Sequence, residues 1–133
     1  MDAQERYDYW LEIAEYDFVT AQAMLDSKRW LYVVFMCQQA IEKHVKGLYT
    51  LYVNDEVPRT HNVRALVSRF ESELQTPVPE EKMELFDELS AYYLNNRYPD
   101  FMAKLSAQIK KDEAERIFSQ TKEAFEWLRT LKP

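Results

Sequence analysis

Glycine is nearly absent from this sequence, with Gly47 alone among 133 residues. Phosphate-binding loops and dinucleotide-binding turns need several glycines, because backbone N–H groups must come close to the phosphate. This scarcity excludes both kinds of nucleotide site. Cysteine is as scarce, since Cys37 is the only one and has no partner for a disulfide. A lone cysteine in an apolar run favours a reducing compartment, and we expect a cytoplasmic protein.

Histidine is also rare, with only His44 and His61 in the chain. The di-iron site of ferritin-like bundles needs Glu-x-x-His pairs, but Ile41 and Pro58 stand three residues before these histidines. Two imidazoles and one thiol, far apart in sequence, also make a poor zinc site. We therefore expect no metal and no cofactor.

Long hydrophobic runs are missing as well. No stretch approaches the roughly 20 apolar residues of a membrane span, and the first residues lack the profile of a signal peptide. With 47% hydrophobic residues the chain can fill one core, and it is too short for two ordinary domains. We expect one domain over residues 1–133 and no membrane association. The net charge of -6 disfavours nonspecific adhesion to nucleic acid but leaves room for a local basic patch.

Apolar residues recur every three or four positions along most of the chain, which is typical of amphipathic helices. The predicted helices run from Ala3 to Leu25, from about Lys28 to Tyr52, from the N-cap residue Thr60 through Phe70, from about Pro79 to Leu94, and from about Ser106 to Leu131. No window alternates over the length of a strand, and the prolines fall at helix boundaries. The pattern predicts an all-α protein, an up-and-down bundle of four long helices plus one short helix.

Aromatic residues make up 14% of the chain, and they could either pack the core or stack on bases where they are exposed. Most aromatic residues have the spacing of side chains that face a helical core, which favours packing. Some of them could also pack in the interface of a dimer. Either use stays open for Trp10, Tyr16, Trp30, Tyr32, Tyr92 and Tyr93.

The second predicted helix is mostly apolar but carries a polar group of residues in its middle. Gln39, Glu42, Lys43 and Lys46 have the spacing i, i+3, i+4, i+7, which places them on one face. This face is either the solvated side of the helix, with a weak Glu42–Lys46 pair, or the polar wall of a site between helices. Spacing alone favours the solvated side.

After the fourth predicted helix, residues 95–101 read Asn-Asn-Arg-Tyr-Pro-Asp-Phe. Arg97 offers a planar fork for phosphate or carboxylate, and Tyr98 offers a stacking face. Alternatively, Arg97 pairs with Asp100 or Glu42 and fixes the loop. The two uses are compatible, since an arginine held by acids is already positioned for an anion.

With these residues considered together, the chain resembles the HEPN domain family, named for a nucleotide-binding domain of higher eukaryotes and prokaryotes. The likeness covers most of the chain and is carried by residues 15–17, residues 35–48, residues 60–63 with Leu66, Tyr92 with Tyr93, and residues 97–100. The resemblance implies a helical bundle that forms homodimers. It also implies a nucleotide or RNA ligand and a minimal nucleotidyltransferase as partner, in pairs similar to toxin–antitoxin systems.

Many HEPN proteins are metal-independent ribonucleases, whose motif is an arginine followed four to six residues later by a histidine. Arg97 matches the arginine, but no histidine follows it. The attack of a 2'-hydroxyl then lacks its usual proton acceptor, and a solvated carboxylate such as Asp100 is a poor base at neutral pH. The resemblance, with this departure, predicts a non-catalytic protein.

The predicted ligand-binding residues, some at motif positions and some on the polar helix face, are Gln39, Glu42, Lys43, Lys46, His61, Arg97, Tyr98 and Asp100. Two alternatives stay open. One is a divergent ribonuclease that uses Arg97 and Asp100 in a dimer cleft. The other is a purely structural interaction module. Considered by itself, His61 near the start of the third predicted helix is better explained as a capping or packing residue than as a metal ligand.

Overall fold

A computed structural model of the chain describes residues 1–95 and 98–133, and the side chains of all of these except 94 and 95. Six α-helices follow one another: α1 Ala3–Asp26, α2 Trp30–Tyr52, α3 Val63–Ser68, α4 Glu80–Asn95, α5 Pro99–Gln108 and α6 Lys111–Arg129. A 3₁₀ turn, Glu71–Glu73, lies between α3 and α4. The described residues contain no strand. The predicted all-α bundle is therefore confirmed. No described helix has the length and apolar character that crossing a membrane requires.

The first two helices form an antiparallel pair. The Asp2 carboxylate caps α1 by accepting a hydrogen bond from the Glu5 backbone N–H at 2.8 Å. After α1 the chain reverses over three residues, with Lys28 at a φ of 62° in the left-handed region. Asp17 of α1 consequently meets Lys43 of α2, while the N-terminal part of α1 lies against Gly47.

Helix α2 is the centre of the bundle and packs against α1, α3, α4 and α6. The large side chains that meet around it are fully or almost fully buried: Ile41, Leu48, Leu66, Phe86, Leu89, Ile117, Phe125 and Leu128. Burial of one such side chain contributes about 1.5–3 kcal/mol. The free energy gained from this apolar packing offsets the cost of burying polar groups on the same helix.

The third helix is shorter than predicted and begins later. Asn62, and not Thr60, is its N-cap, because the Asn62 side chain accepts a hydrogen bond from the Ala65 N–H at 3.1 Å. The Thr60 hydroxyl instead accepts from the Asn62 N–H at 3.1 Å. His61 therefore precedes α3 instead of lying in its first turn.

Helix α5 is an element that the sequence pattern does not predict. Pro99 stands at its start, where the fixed φ of proline suits a first helical turn. The buried side chains of Leu105 and Ile109 anchor its far end. Two extended residues, Ile109 and Lys110, then separate α5 from α6, so the last long helix begins at Lys111 and not near Ser106. Helix-compatible residues at this break explain why the pattern shows no interruption.

Candidate functional site

Glu42 is a carboxylate buried in the middle of α2, with 3% of its surface exposed. Its Oε1 accepts a hydrogen bond from Gln38 Nε2 at 2.7 Å, and its Oε2 pairs with Lys46 Nζ at 3.0 Å. These partners stand one helical turn before and after it on the same stripe of α2. A buried carboxylate is tolerated only when hydrogen bonds and an opposite charge compensate its lost hydration, and both are present here.

His61 reaches the same carboxylate from the segment before α3. Its Nδ1 lies 3.0 Å from Glu42 Oε1 and 3.2 Å from Oε2. An ionised carboxylate can only accept, so Nδ1 carries the hydrogen and donates it. The ring also packs on Tyr93 of α4, with the ring centroids 3.9 Å apart and a tilt of 39°. We call Gln38, Glu42, Lys46, His61 and Tyr93 the Glu42 cluster.

The His61 side chain remains 40% exposed although two contacts hold it. With Nδ1 bound to Glu42, the Nε2 atom on the other side of the ring is the one left for a further partner. Within the part of the chain that the structure describes, Nε2 has no hydrogen-bond partner. The arrangement fixes the orientation and tautomer of an imidazole and leaves its second nitrogen accessible.

The polar face predicted on α2 is not a solvated side. Glu42 and Lys46 are buried, which makes that interpretation wrong for its central pair. Gln39 and Lys43 lie half-buried at the edge. Gln39 Nε2 donates to Gln38 Oε1 at 2.6 Å, and Lys43 Nζ forms an ion pair with Asp17 Oδ2 of α1 at 2.7 Å. The four residues therefore form the inner wall and rim of a polar junction between helices.

The remaining predicted site residues come from the stretch after α4. Arg97 lies outside the described residues. Tyr98 directly precedes α5 and is 54% exposed, and Asp100 is exposed in the first turn of α5. Tyr93, which contacts His61, lies in the last turns of α4, so this stretch follows the Glu42 cluster directly along the chain.

The opposite face of α2 carries the other histidine of the chain, and this one is buried. His44 is fully buried, and within the described residues neither of its ring nitrogens has a hydrogen-bond partner. Its ring meets that of Phe125 edge-on at 4.4 Å between centroids. Burial, with a smaller contribution from the Arg129 charge, lowers the pKa of His44 to about 3. Burial likewise raises the pKa of the Cys37 thiol to about 12. We call the buried residues Cys37, His44 and Phe125 the His44 seam.

The described residues offer no group of three or more His, Cys, Asp or Glu side chains that could hold a metal ion. The two oxygens of Glu42 already accept from Gln38, Lys46 and His61. The arrangement suits hydrogen bonding and proton exchange at the exposed imidazole rather than metal binding.

The residues predicted for the site do not include Gln38, and Tyr93 and Trp10 are predicted only as rings for core packing or base stacking. Gln38, Glu42 and Lys46 have the spacing i, i+4, i+8, which could have identified Gln38 as a donor. Lys46 Nζ also lies 5.8 Å from the centre of the Trp10 ring. No local signal joins Tyr93 to His61 or Trp10 to Lys46, because both contacts arise from the packing of segments distant in sequence.

Comparisons with known proteins agree with this architecture. The family model of the HEPN domain matches residues 7–131. Among solved structures, the chain is similar to TT1696 from Thermus thermophilus, with 26% sequence identity and a TM-score of 0.78. The match covers 94% of this chain and 97% of that one. No protein of curated function matches the sequence. With nearly its whole length matched by the family model, this chain belongs to the HEPN domain family.

Proposed function

We propose that this chain is a non-catalytic HEPN protein that binds a nucleotide and acts as partner of a minimal nucleotidyltransferase in a pair similar to toxin–antitoxin systems. One observation carries the binding proposal: a buried carboxylate, Glu42, holds the imidazole of His61 so that Nε2 stays accessible. With its hydrogen on Nδ1, the ring offers Nε2 as an acceptor, and a ligand hydroxyl such as that of a ribose can donate to it with little further ordering.

The ligand is expected to be anionic because of the cations at the rim. Lys43 is half-buried and keeps two donors beyond its bond to Asp17. Arg97 follows Tyr93 by four residues in the sequence, and its guanidinium suits a phosphate. Lys46 contributes less, since Glu42 already neutralises it. The RYPD sequence of residues 97–100 without a following histidine supports the non-catalytic part of the proposal.

Calorimetric titration with AMP, ADP, ATP and GTP tests the binding. We expect saturable binding by the wild type and a roughly tenfold or greater loss for Arg97→Ala, because a charged hydrogen bond contributes about 1.5–3 kcal/mol. Arg29→Ala is the matched control. This exposed arginine precedes α2, roughly 20 Å from Glu42 along the helix. Absence of binding by the wild type, or equal losses in both variants, contradicts the proposal.

The first test of the partnership is whether a gene for a minimal nucleotidyltransferase lies beside the gene of this chain, and the second is to mix the two purified proteins. We expect one complex in size-exclusion chromatography with light scattering. We also propose that the chain alone is a homodimer, which the same measurement decides from its mass. If the chain and the transferase elute separately, the proposed partnership is contradicted. If the chain alone has the mass of a monomer, the proposed homodimer is contradicted.

The contact between Glu42 and His61 also favours a second function, cleavage of RNA without a metal. His61 Nε2 would take the proton of a 2'-hydroxyl, the 2'-oxygen would attack phosphorus, and the 5'-oxygen would leave with a proton from water. In this alternative His61 takes the role first considered for Asp100. Cleavage of tRNA in EDTA that disappears in His61→Asn and Arg97→Ala, but persists in Arg29→Ala, would establish it. Cleavage indifferent to both substitutions would identify a contaminant.

A further inference from the structure

A cleft of about 540 Å³ opens beside the Glu42 cluster, between the N-terminal part of α1 and the segment that follows α2. It is lined by Arg6, Trp10, Asn54, Asp55, Glu56 and Val57. Its volume lies within the range of about 300–1,000 Å³ that small-molecule sites occupy. Of the residues to which the proposed function assigns a role, none that the structure describes lines it.

Trp10 forms the aromatic wall of this cleft. The indole is partly exposed, whereas tryptophan usually buries most of its surface in a core or an interface. Lys46 Nζ lies 5.8 Å from the ring centroid and 3.0 Å from Glu42 Oε2. Lys46, a member of the Glu42 cluster, thus lies between Glu42 and the Trp10 cleft.

The position of Trp10 depends on the only glycine of the chain. A Cβ atom at Gly47 would come within 3.2 Å of Trp10 Cβ and 3.3 Å of Tyr7 Cδ2. Both contacts are closer than ordinary van der Waals distance, so an alanine here would require these neighbours to move by a few tenths of an ångström. The glycine allows α1 to lie close enough to α2 for the indole to sit beside Lys46.

The polar lining of the cleft offers both donors and acceptors. Arg6 Nη1 donates to the Met1 carbonyl at 2.8 Å, and its Nη2 lies 3.5 Å from Asn54 Oδ1, which ties α1 to the segment after α2. Asp55 and Glu56 are exposed carboxylates on the same wall. Carboxylates accept hydrogen bonds from amino groups and hydroxyls, as the edge of an amino-bearing base and a ribose present them.

We propose that the base of the bound nucleotide stacks on Trp10, with its exocyclic amino group toward Asp55 and Glu56. The ligand class is a nucleotide with an amino-bearing base, such as AMP. This inference rests on the proposed nucleotide binding and places the base on the Trp10 side of Lys46, with the phosphate on the Lys43 side. The base contributes through its flat face, which a sugar phosphate lacks.

The test uses fluorescence of a variant in which Trp10 is the only tryptophan, made by Trp30→Phe and Trp127→Phe. We expect AMP to quench this fluorescence, with the quenching reaching saturation as the AMP concentration rises. Ribose 5-phosphate should leave the fluorescence unchanged. In the otherwise natural chain, Trp10→Leu should weaken AMP binding roughly tenfold or more in calorimetry. Ribose 5-phosphate, which has no base, should bind equally to Trp10→Leu and to the wild type.

A second variant separates lost stacking from lost folding. Trp10→Phe keeps an aromatic face and should bind AMP with intermediate affinity, and melting temperatures report whether either variant has unfolded. The inference alone is overturned if the wild type binds AMP while Trp10 fluorescence stays constant and Trp10→Leu binds as tightly. If the wild type binds no nucleotide at all, the proposed function fails and the inference fails with it.

Discussion

Two faces of α2 solve the burial of a polar side chain in opposite ways. Glu42 and His44 are two residues apart, so they point to nearly opposite sides of the helix. Glu42 has three donors around it, whereas His44 has no hydrogen-bond partner within the described residues. A carboxylate beside a lysine ammonium needs hydrogen bonds and the opposite charge to compensate its lost hydration, whereas a neutral imidazole can be buried without either. The Glu42 cluster therefore orients a second histidine, and the His44 seam serves packing.

The largest expected effect comes from removing the centre of the Glu42 cluster. Glu42→Ala leaves the Lys46 ammonium buried without its carboxylate and should lower the free energy of unfolding by about 3–5 kcal/mol. Denaturation by urea measures it. The double variant Glu42→Met, Lys46→Met removes both charges and should recover most of the loss. A single variant that loses less than about 1 kcal/mol would show that the pair does not hold this junction together.

The His44 seam should make the protein sensitive to acid. The unfolded chain binds a proton on His44 near pH 6.5, whereas the folded chain does so only near pH 3, the value to which burial lowers its pKa. The unfolded state then holds more protons, so stability falls as the pH drops from about 6.5 toward 3 and is fully present above 6.5. At pH 5 the loss from this group is about 2 kcal/mol.

His44→Leu isolates this contribution, since all other titrating groups stay in place. We expect the stability difference between pH 7 and pH 5 to be about 2 kcal/mol smaller in the variant. Equal pH profiles for variant and wild type would mean that the imidazole gains a partner or water in the folded protein.

Gly47 lies on a third face of α2, where α1 packs closely. A substitution there changes the packing without changing a charge. Alanine is the better helix former by about 1 kcal/mol, but its Cβ would crowd Trp10 and Tyr7. Overpacking typically costs about 1–3 kcal/mol, so we expect Gly47→Ala to lower the free energy of unfolding by about 1 kcal/mol net. Urea denaturation decides the sign. A stabilised variant would show that α1 moves away without strain.

The smallest expected effect concerns the pair Lys43–Asp17 at the rim. Both side chains are partly exposed, 23% and 13%, and an ion pair of this kind contributes at most about 1 kcal/mol. Lys43→Met should therefore cost less than about 1 kcal/mol, with a difference that shrinks in roughly 1 M salt because the charges are screened. If Lys43→Met lowers the free energy of unfolding as much as Glu42→Ala does, then the ion pair at the rim matters as much as the buried one, and the distinction between the two is wrong.

Most of the fold follows from the sequence because helical periodicity and proline positions are local signals. The all-α bundle and the extents of α1, α2 and α4 follow from them within a few residues. Helix α5 was not predicted, because the break between α5 and α6 consists of Ile109 and Lys110, which are also common inside helices. The cap of α3 was misplaced by two residues, since Thr60 and Asn62 are both good capping residues.

The candidate site was predictable in its residue types and less so in its organisation. The spacing of charged residues predicted that Glu42 and Lys46 share one helix face. Their burial, however, depends on helices that are distant in sequence. The contact of His61 with Glu42 joins residues 19 positions apart, and that of Trp10 with Lys46 joins residues 36 apart. Such contacts are consequences of packing, which periodicity does not encode.

The antiparallel pair of α1 and α2 has a kinetic consequence. These helices share the most extensive interface of the bundle and are joined by a three-residue turn, so their contacts can begin between residues beside the turn and extend from there along both helices. Contacts of this kind require little loop closure and favour fast, early formation. We expect substitutions such as Ala14→Gly and Ala21→Gly to slow folding, and Leu128→Ala in α6 mainly to speed unfolding. The chain would then assemble as a hairpin that α6 closes last.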